Sequence, residues 1–390
     1  MKRLDQLTVV LFLLVTFGLA ALFWILPDRT FSREENRSLQ TSPALSLENL
    51  ASGKLLQDVN AYFSDQFPFR DLWVGVKGGA EMALGRGENN GILLGSSGHL
   101  ARRRFSMKKA NGEQTVASDA YDPAHVRLSC EGINRADENL DVPFYVMLTG
   151  RNVDVNGSAF DYPRDVSEAL QAEISGALSP NVQTVDTVPI LRERAEAGED
   201  VYYRTDHHWT TLGAYYAYAE TMNAMGMSDQ TLPMEAFERR TVSTAFYGTL
   251  WSAGGMRWVG PDAVEFWIRG NEDDFSVVAD GKELGGFYNE EWLSKKDHYS
   301  AFLDGTHDVV TITRKDGAPR ERLLIIKDSF ANSLAPFLSQ HFDLVLLNLS
   351  STRQDYTNVS ALAREYDADA VMLVYTVENL LTAEKLCRLK

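Results

Sequence analysis

Leu323-Leu-Ile-Ile-Lys-Asp-Ser-Phe-Ala-Asn-Ser333 joins an apolar run to a polar, helix-opening block. Four apolar residues, Leu323 to Ile326, read as a short buried strand, closed by Lys327 and Asp328. Ser329 then opens a helix that runs towards Gln340. A serine at the carboxyl end of a buried strand and the start of a helix stands where an open α/β sheet places its chemistry. The same residues also suit plain helix capping, because Asp and Ser are favoured N-caps. The stretch alone leaves both readings open.

Strands and helices alternate from about residue 122. Helical patterns cover roughly Pro123 to Asn139, Val166 to Leu178 and Thr211 to Met225, the last read as amphipathic. Apolar runs at Val142 to Thr149, Val182 to Val185, Leu344 to Leu347 and Ala370 to Tyr375 read as strands, and Val201 to Arg204 as extended chain. This rhythm predicts a mainly parallel sheet with helices on both faces. Residues from about 237 to 320 depart from it. They are rich in Gly, Trp, Thr and Val with alternating patches, and are expected to form a β-rich insertion.

The amino-terminal part reads differently. Lys2 and Arg3 precede an uncharged apolar run from Leu7 to Leu26, about the 20 residues that a spanning helix needs. The bulky Leu22 to Pro27 does not resemble a small-residue cleavage site, so an uncleaved membrane anchor is favoured over a signal peptide. Residues 1–27 are assigned to this anchor. The basic flank favours the cytoplasm, which puts the rest of the chain outside as a single-pass protein of the cell membrane. Residues 28–121 are read as a juxtamembrane linker and an N-terminal helical and hairpin region, with the hairpin at Gly91 to Leu100. Residues 122–390 form the α/β domain.

Of the 390 residues, 44% are apolar, enough for a large core, and the net charge of −16 argues against a nucleic-acid partner. Cys130 and Cys387 are too few for a disulfide scaffold, and fit either a pair or two small buried side chains. Four tryptophans, Trp209, Trp251, Trp258 and Trp267, fit sugar stacking or burial, with burial favoured.

Tyr203-Arg-Thr-Asp-His-His-Trp-Thr210 is the densest polar cluster. Hydroxyl nucleophiles need an imidazole to take their proton and a carboxylate to fix its tautomer. Asp206 can reach His208 across one residue, so His208 is the preferred base, with His207 left to packing or substrate. Two other readings stand beside this one. Asp206 or Thr210 can cap the following helix, and Asp and His can ligate a metal, although two adjacent histidines rarely reach one ion. No metal or cofactor is assigned.

Together these two blocks resemble a known family. Thr205-Asp-His-His-Trp209 resembles the signature of the DHHW proteins, which are similar to the periplasmic alginate O-acetylation proteins and have a fold like that of the SGNH (GDSL-like) hydrolases. Glu35-Asn-Arg37, Tyr62 to Arg70, Gly91 to Gly95, Ile326 to Asn332 and Tyr375 to Leu380 resemble further blocks of the family in order and spacing. The resemblance implies an SGNH-like (flavodoxin-like) α/β domain and a triad of Ser329 as nucleophile, His208 as base and Asp206 as its orienter. Lys327 stands where GDSL enzymes carry glycine, so the oxyanion donors are sought elsewhere. They include the Ser329 N–H, with Gly150 and Asn152 as substitutes for the usual glycine and asparagine blocks. Arg151, His207, Trp209 and Asn332 complete the candidate substrate and oxyanion contacts, although Arg151 reads more simply as a surface arginine.

The function implied is an extracytoplasmic O-acetyltransferase acting through an acetyl-serine on a cell-surface or secreted polysaccharide. A multispanning membrane acyltransferase is the implied partner. A carbohydrate esterase with the same triad and a non-catalytic polysaccharide-binding scaffold are the alternatives.

Overall fold

The computed structural model describes residues 2–103, 105–110, 113–119 and 121–390; of residue 2 and the strands at 105–110 and 113–119 only the backbone is described. The chain divides into two compact units, residues 2–90 with 252–258, and residues 91–251 with 259–390.

In the first unit the helix Lys2–Ile25 presents an apolar span, Arg3–Ile25, that is long and apolar enough to cross a membrane and is not buried in the protein. Three further helices follow, Leu47–Ala51, Lys54–Asp65 and Arg70–Ala83. Arg37 explains the polar block that precedes them. Its guanidinium donates to Glu35 at 2.7 Å and to both carboxylate oxygens of Asp65, and Arg70 reaches Glu35 at 2.5 Å. Asp65 is held below the usual carboxylate range by the Arg37 hydrogen bond, which outweighs its burial.

The second unit is built on one eight-stranded sheet. Its strands are β1 (Phe144–Thr149), β2 (Gln183–Thr184), β3 (Phe275–Ala279), β4 (Lys282–Glu283), β5 (Val309–Arg314), β6 (Arg322–Lys327), β7 (Asp343–Asn348) and β8 (Ala370–Thr376). The spatial order is β4-β3-β5-β7-β6-β8-β1-β2. Strands β7, β6, β8, β1 and β2 run parallel, and β5, β3 and β4 extend the sheet antiparallel. The sheet is therefore mixed, where the strand rhythm predicts a mainly parallel one. The reason lies in the connections. An Asp280-Gly281 turn, both residues at positive φ, joins β3 to β4 as a tight hairpin, which only antiparallel neighbours allow. A separate two-stranded ribbon pairs Glu238–Phe246 with Asp262–Ile268.

Helices α1 (Pro123–Glu138), α2 (Arg164–Ala177), α3 (Thr211–Ala224), α4 (Ala331–Leu338) and α5 (Val359–Glu365) cover both faces. The period-2 alternation of β6 separates the two cores. Leu323 and Ile325 pack with α3 and α4, and Leu324 and Ile326 pack with α1, α2 and α5. Helix α3 corrects one expectation. It is buried on nearly every side rather than amphipathic. Its tyrosines tolerate this because each hydroxyl has a partner: Tyr215 donates to Leu232 O, Tyr216 to Glu199, and Tyr218 lies 2.8 Å from His341 Nε2.

This topology gathers several chain segments at one rim. Ser329 follows β6, Gly150 follows β1 and Glu378 follows β8, all at the carboxyl ends of adjacent parallel strands. Open α/β sheets bind ligands along that rim.

Candidate active site

Ser329 sits in a turn between β6 and α4, and this turn is held by Asp328 rather than by a serine cap. The buried Asp328 carboxylate accepts from Phe330 N–H at 3.1 Å, Thr376 N–H at 2.8 Å and Asn379 Nδ2 at 2.9 Å. It thereby ties the turn to the end of β8. Burial raises the Asp328 pKa, and these three donors work against the rise. Ser329 itself is half-buried and faces a cleft of about 240 Å³.

The Asp206 segment arrives from the loop before α3. Thr210, not Asp206, caps that helix, accepting from Gly213 N–H at 3.2 Å. Asp206 is thus left for other partners. Its Oδ1 lies 2.6 Å from His208 Nδ1 and accepts from His208 N–H at 3.0 Å. Its Oδ2 accepts from Thr249 N–H at 2.8 Å and Thr249 Oγ1 at 2.9 Å. Burial alone would raise this carboxyl. The His207 and His208 imidazoles and the hydrogen bonds reverse that and hold it far below the usual range, so Asp206 is a carboxylate. A carboxylate at Nδ1 requires Nδ1–H on His208, which leaves Nε2 as the acceptor. That Nε2 lies 2.6 Å from Ser329 Oγ. The two residues are 121 positions apart in sequence.

The His208 ring is clamped. Tyr299 stacks on it at 3.7 Å with planes 9° apart, His207 lies at 3.9 Å and Phe330 at 4.9 Å. Tyr299 also donates to Ser329 O at 3.0 Å. The Ser329 and Gly150 N–H groups have no protein acceptor among the described residues.

The other sequence candidates divide. Gly150, Arg151, Asn152 and His207 line the cleft with Ser329. Asn152 donates to Leu100 O at 3.0 Å. Arg151 is not a surface residue: it is buried, with Nε and Nη2 each 2.8 Å from the Asp154 carboxylate. Trp209 and Asn332 lie behind the cleft wall. Trp209 is fully buried and donates to Ser333 Oγ at 2.8 Å, while Asn332 accepts from the buried Lys327 ammonium at 2.6 Å and donates to Gly305 O at 2.9 Å. Burial lowers the Lys327 pKa to about 8. Trp251 and Trp267 are buried, Trp258 is half exposed, and both cysteines are free thiols.

Asp206, His207 and His208 bring ligand atoms within 4.8 Å of one another, which suits a metal ion geometrically. Both ring nitrogens of His208 are already engaged, one by Asp206 and one by Ser329. A metal there would have to displace one of those contacts.

Sequence reasoning missed several residues. Gly248 and Thr249 meet Asp206 from the loop after the ribbon's first strand, and a Cβ on Gly248 would collide with the Asp206 side chain. Tyr299 comes from the 237–320 region. Arg102 and Glu378 line the cleft, 3.4 Å apart. Glu378 lies within the Tyr375 to Leu380 block, the one local signal among these.

These features define an α/β protein with a serine, a histidine and an aspartate joined by hydrogen bonds at the carboxyl rim of its sheet. Residues 178–348 match the DHHW protein family. It is similar to the probable alginate O-acetylase AlgJ of Pseudomonas syringae pv. tomato, 24% identical over 242 residues, or 61% of this chain. That match spans 58% of the relative's length. A DHHW family protein from Eubacterium siraeum has a similar structure, with a TM-score of 0.56 and 19% identity over 77% of this chain and 95% of the other. Bacillus cereus PatB1, solved with a sulfonyl adduct, gives a TM-score of 0.58 and 19% identity over 74% of this chain and 100% of the other.

Proposed function

We propose that this protein is an extracytoplasmic, serine-dependent O-acetyltransferase with an SGNH-like fold, acting on a cell-surface or secreted polysaccharide and anchored by its N-terminal helix. The observation that carries the reading is the unbroken hydrogen-bond chain from Asp206 through His208 to Ser329 at the floor of a cleft. The relative described as a probable alginate O-acetylase supports acetyl transfer to a polysaccharide. The uncharged span behind Lys2 and Arg3 supports a membrane anchor with the sheet outside.

In the first half-reaction His208 Nε2 takes the Ser329 proton while Oγ attacks the acetyl carbonyl of the donor. The negative charge that develops on the carbonyl oxygen is met by the Ser329 and Gly150 N–H groups. The tetrahedral species collapses, the donor oxygen leaves as an alcohol with the proton from His208, and acetyl-Ser329 remains. In the second half a sugar hydroxyl gives its proton to His208 and attacks the same carbonyl. Ser329 is released and the sugar ester is formed. Asp206 keeps its charge throughout and stabilises the imidazolium. Acetyl-CoA is cytoplasmic, so the donor outside is an acetyl group relayed by a multispanning membrane acyltransferase.

The test uses the full chain in detergent with an aryl acetate as donor. The wild type should accumulate acetyl on Ser329, seen by mass spectrometry, and the Ser329→Ala variant should not. Labelling that persists in the variant would sink the reading. Release of acetyl to water with no gain on adding oligosaccharide would favour the esterase.

A further inference from the structure

We propose that the helix Arg70–Ala83 lies flat on the bilayer with its outward face sunk among the lipids, an inference that rests on reading Arg3–Ile25 as a membrane anchor. The first observation is an apolar stripe on that helix. Phe69, Leu72, Trp73 and Val76 are between 43% and 63% exposed, and Ala80 and Ala83 are exposed beside them. On a helical wheel these six fall within an arc of roughly 100°, and Arg70, Asp71, Lys77 and Glu81 fall outside it. The other side of the helix is turned inward: Val74 and Gly78 pack on Gly255, and Asp71 holds Arg29 at 2.7 Å. The apolar stripe therefore faces away from the protein, the reverse of what a helix on a water-facing surface presents.

The second observation is continuity with the span, which is what makes lipid the occupant. Phe23, in the last turn of Lys2–Ile25, stacks on Phe63 at 5.1 Å with planes 16° apart, and meets Tyr62 edge-on at 5.6 Å. Just beyond the span, Asp28 accepts from the Tyr62 hydroxyl at 3.0 Å and Arg29 N–H donates to Gln66 Oε1 at 2.9 Å. The Arg29 contact to Asp71 then fixes the start of Arg70–Ala83 to the residues that leave the bilayer. Leu72 and Trp73, next in the chain, begin the stripe at headgroup depth. The third observation is Phe69, which precedes the helix with φ at 59°. That left-handed conformation is costly for a bulky side chain. Its ring is more than half exposed, so packing within the chain does not offset the cost; insertion into lipid does.

Helices of this kind lie in the membrane plane with the apolar face about 5–10 Å into the boundary between headgroups and acyl chains. Trp73 suits that depth, because its indole N–H is already given to Pro68 O at 3.1 Å and the ring can leave water at little cost. A single span would let the attached unit swing. A span with an in-plane helix fixed to its end sets the unit's tilt on the bilayer.

The test uses the full chain in vesicles of phosphatidylethanolamine and phosphatidylglycerol, doped with a phospholipid whose diazirine sits near the glycerol end of its acyl chain. After irradiation, lipid adducts are mapped by mass spectrometry. They should fall on residues 3–25 and on residues 69–83. Leu72→Asp combined with Val76→Asp, both at exposed positions, should lower the yield at 69–83 at least about tenfold and leave the yield at 3–25 unchanged. Adducts confined to 3–25 would overturn the proposal and assign the stripe to a second copy or to another protein. An undiminished yield at 69–83 in the double variant would overturn it as well. Adducts at neither segment would remove the anchor reading itself, and the proposal with it.

Discussion

The imidazole of His208 lies flat on the phenol ring of Tyr299, 3.7 Å between centroids and 9° from parallel, while the Tyr299 hydroxyl donates to the carbonyl of Ser329 at 3.0 Å. One side chain thus sets the base's ring plane and the backbone of the proposed nucleophile. The two contributions can be separated. Tyr299→Phe keeps the stack and loses the hydroxyl bonds, and should lower kcat for aryl acetate by less than about tenfold. Tyr299→Ala frees the ring to tilt, and should cost about a hundredfold with KM little changed. Circular dichroism would confirm that the Ala variant is folded. Equal kcat for wild type and Ala would show that the stack does not position the base.

Asp206 acts through His208, so its removal should be felt as a wrong tautomer rather than as lost substrate binding. Asp206→Asn places an amide where a carboxylate now accepts from Nδ1 at 2.6 Å. The amide can donate to Nδ1, which moves the imidazole proton to Nε2 and blocks it from accepting the Ser329 proton. Acetyl-Ser329 formation should slow by about a thousandfold or more. A rate within tenfold of wild type would mean that His208 is oriented by its ring neighbours alone.

Gly248 makes a steric prediction at the same carboxylate. A methyl group there would overlap the Asp206 side chain, and Thr249, next in the chain, supplies both donors to Oδ2. Gly248→Ala should therefore displace Asp206 and lower kcat by about a hundredfold, since shifts near 1 Å at catalytic groups have that effect. Nucleophile labelling by a sulfonyl fluoride would read it directly, and an unchanged labelling rate would refute it.

The site was legible where its chemistry is local. Asp206 and His208 are two residues apart, and the strand before Ser329 is a plain apolar run, so residue types marked both blocks as candidates, and the family resemblance joined them into a triad. Gly248, Thr249, Tyr299 and Arg102 were not legible, because each gains its role only from tertiary placement; Thr249 meets Asp206 across 43 positions. The same limit applies to the fold. Alternating patches marked residues 237–320 as β-rich, but period-2 patterning carries no information on which sheet edge such a strand joins or in which direction. Helix α3 was misjudged because tyrosine reads as half-polar. Here each tyrosine hydroxyl has a partner, so the whole face is buried.

Buried histidines contribute to the acid limb of stability, with His207 and His341 shifted furthest and His99 and His298 lowered as well. His207 is pushed down to about 4 by burial and by the neighbouring His208, and His341 is pushed down to about 4 by burial and by Arg320 and Arg269. Both bind a proton less readily folded than unfolded. Above pH 6.5 neither state is protonated and no penalty applies. As pH falls from 6.5 to 4, the unfolded chain takes up protons that the folded chain refuses, so stability drops and then levels. The urea midpoint should fall across that window, and His341→Gln should flatten the fall. A midpoint that rises on acidification would contradict the argument.

Asp328 offers the sharpest test of what holds the nucleophile turn. It has no role in proton transfer, yet its carboxylate is buried and accepts three donors, two of them from β8 and the segment that follows it. Asp328→Ala would leave the Thr376 and Phe330 N–H groups and the Asn379 amide without their acceptor. Unsatisfied buried donors cost about 1–3 kcal/mol each, partly recovered if water enters. Stability should therefore fall by about 2–4 kcal/mol, and the Ser329 turn should loosen before the core unfolds. Hydrogen exchange separates this from a general loss of packing. Amides of residues 328–332 and 376–379 should lose protection together, while β6 and β7 amides track only the global change. Uniform loss across the sheet would assign Asp328 to the core rather than to the turn.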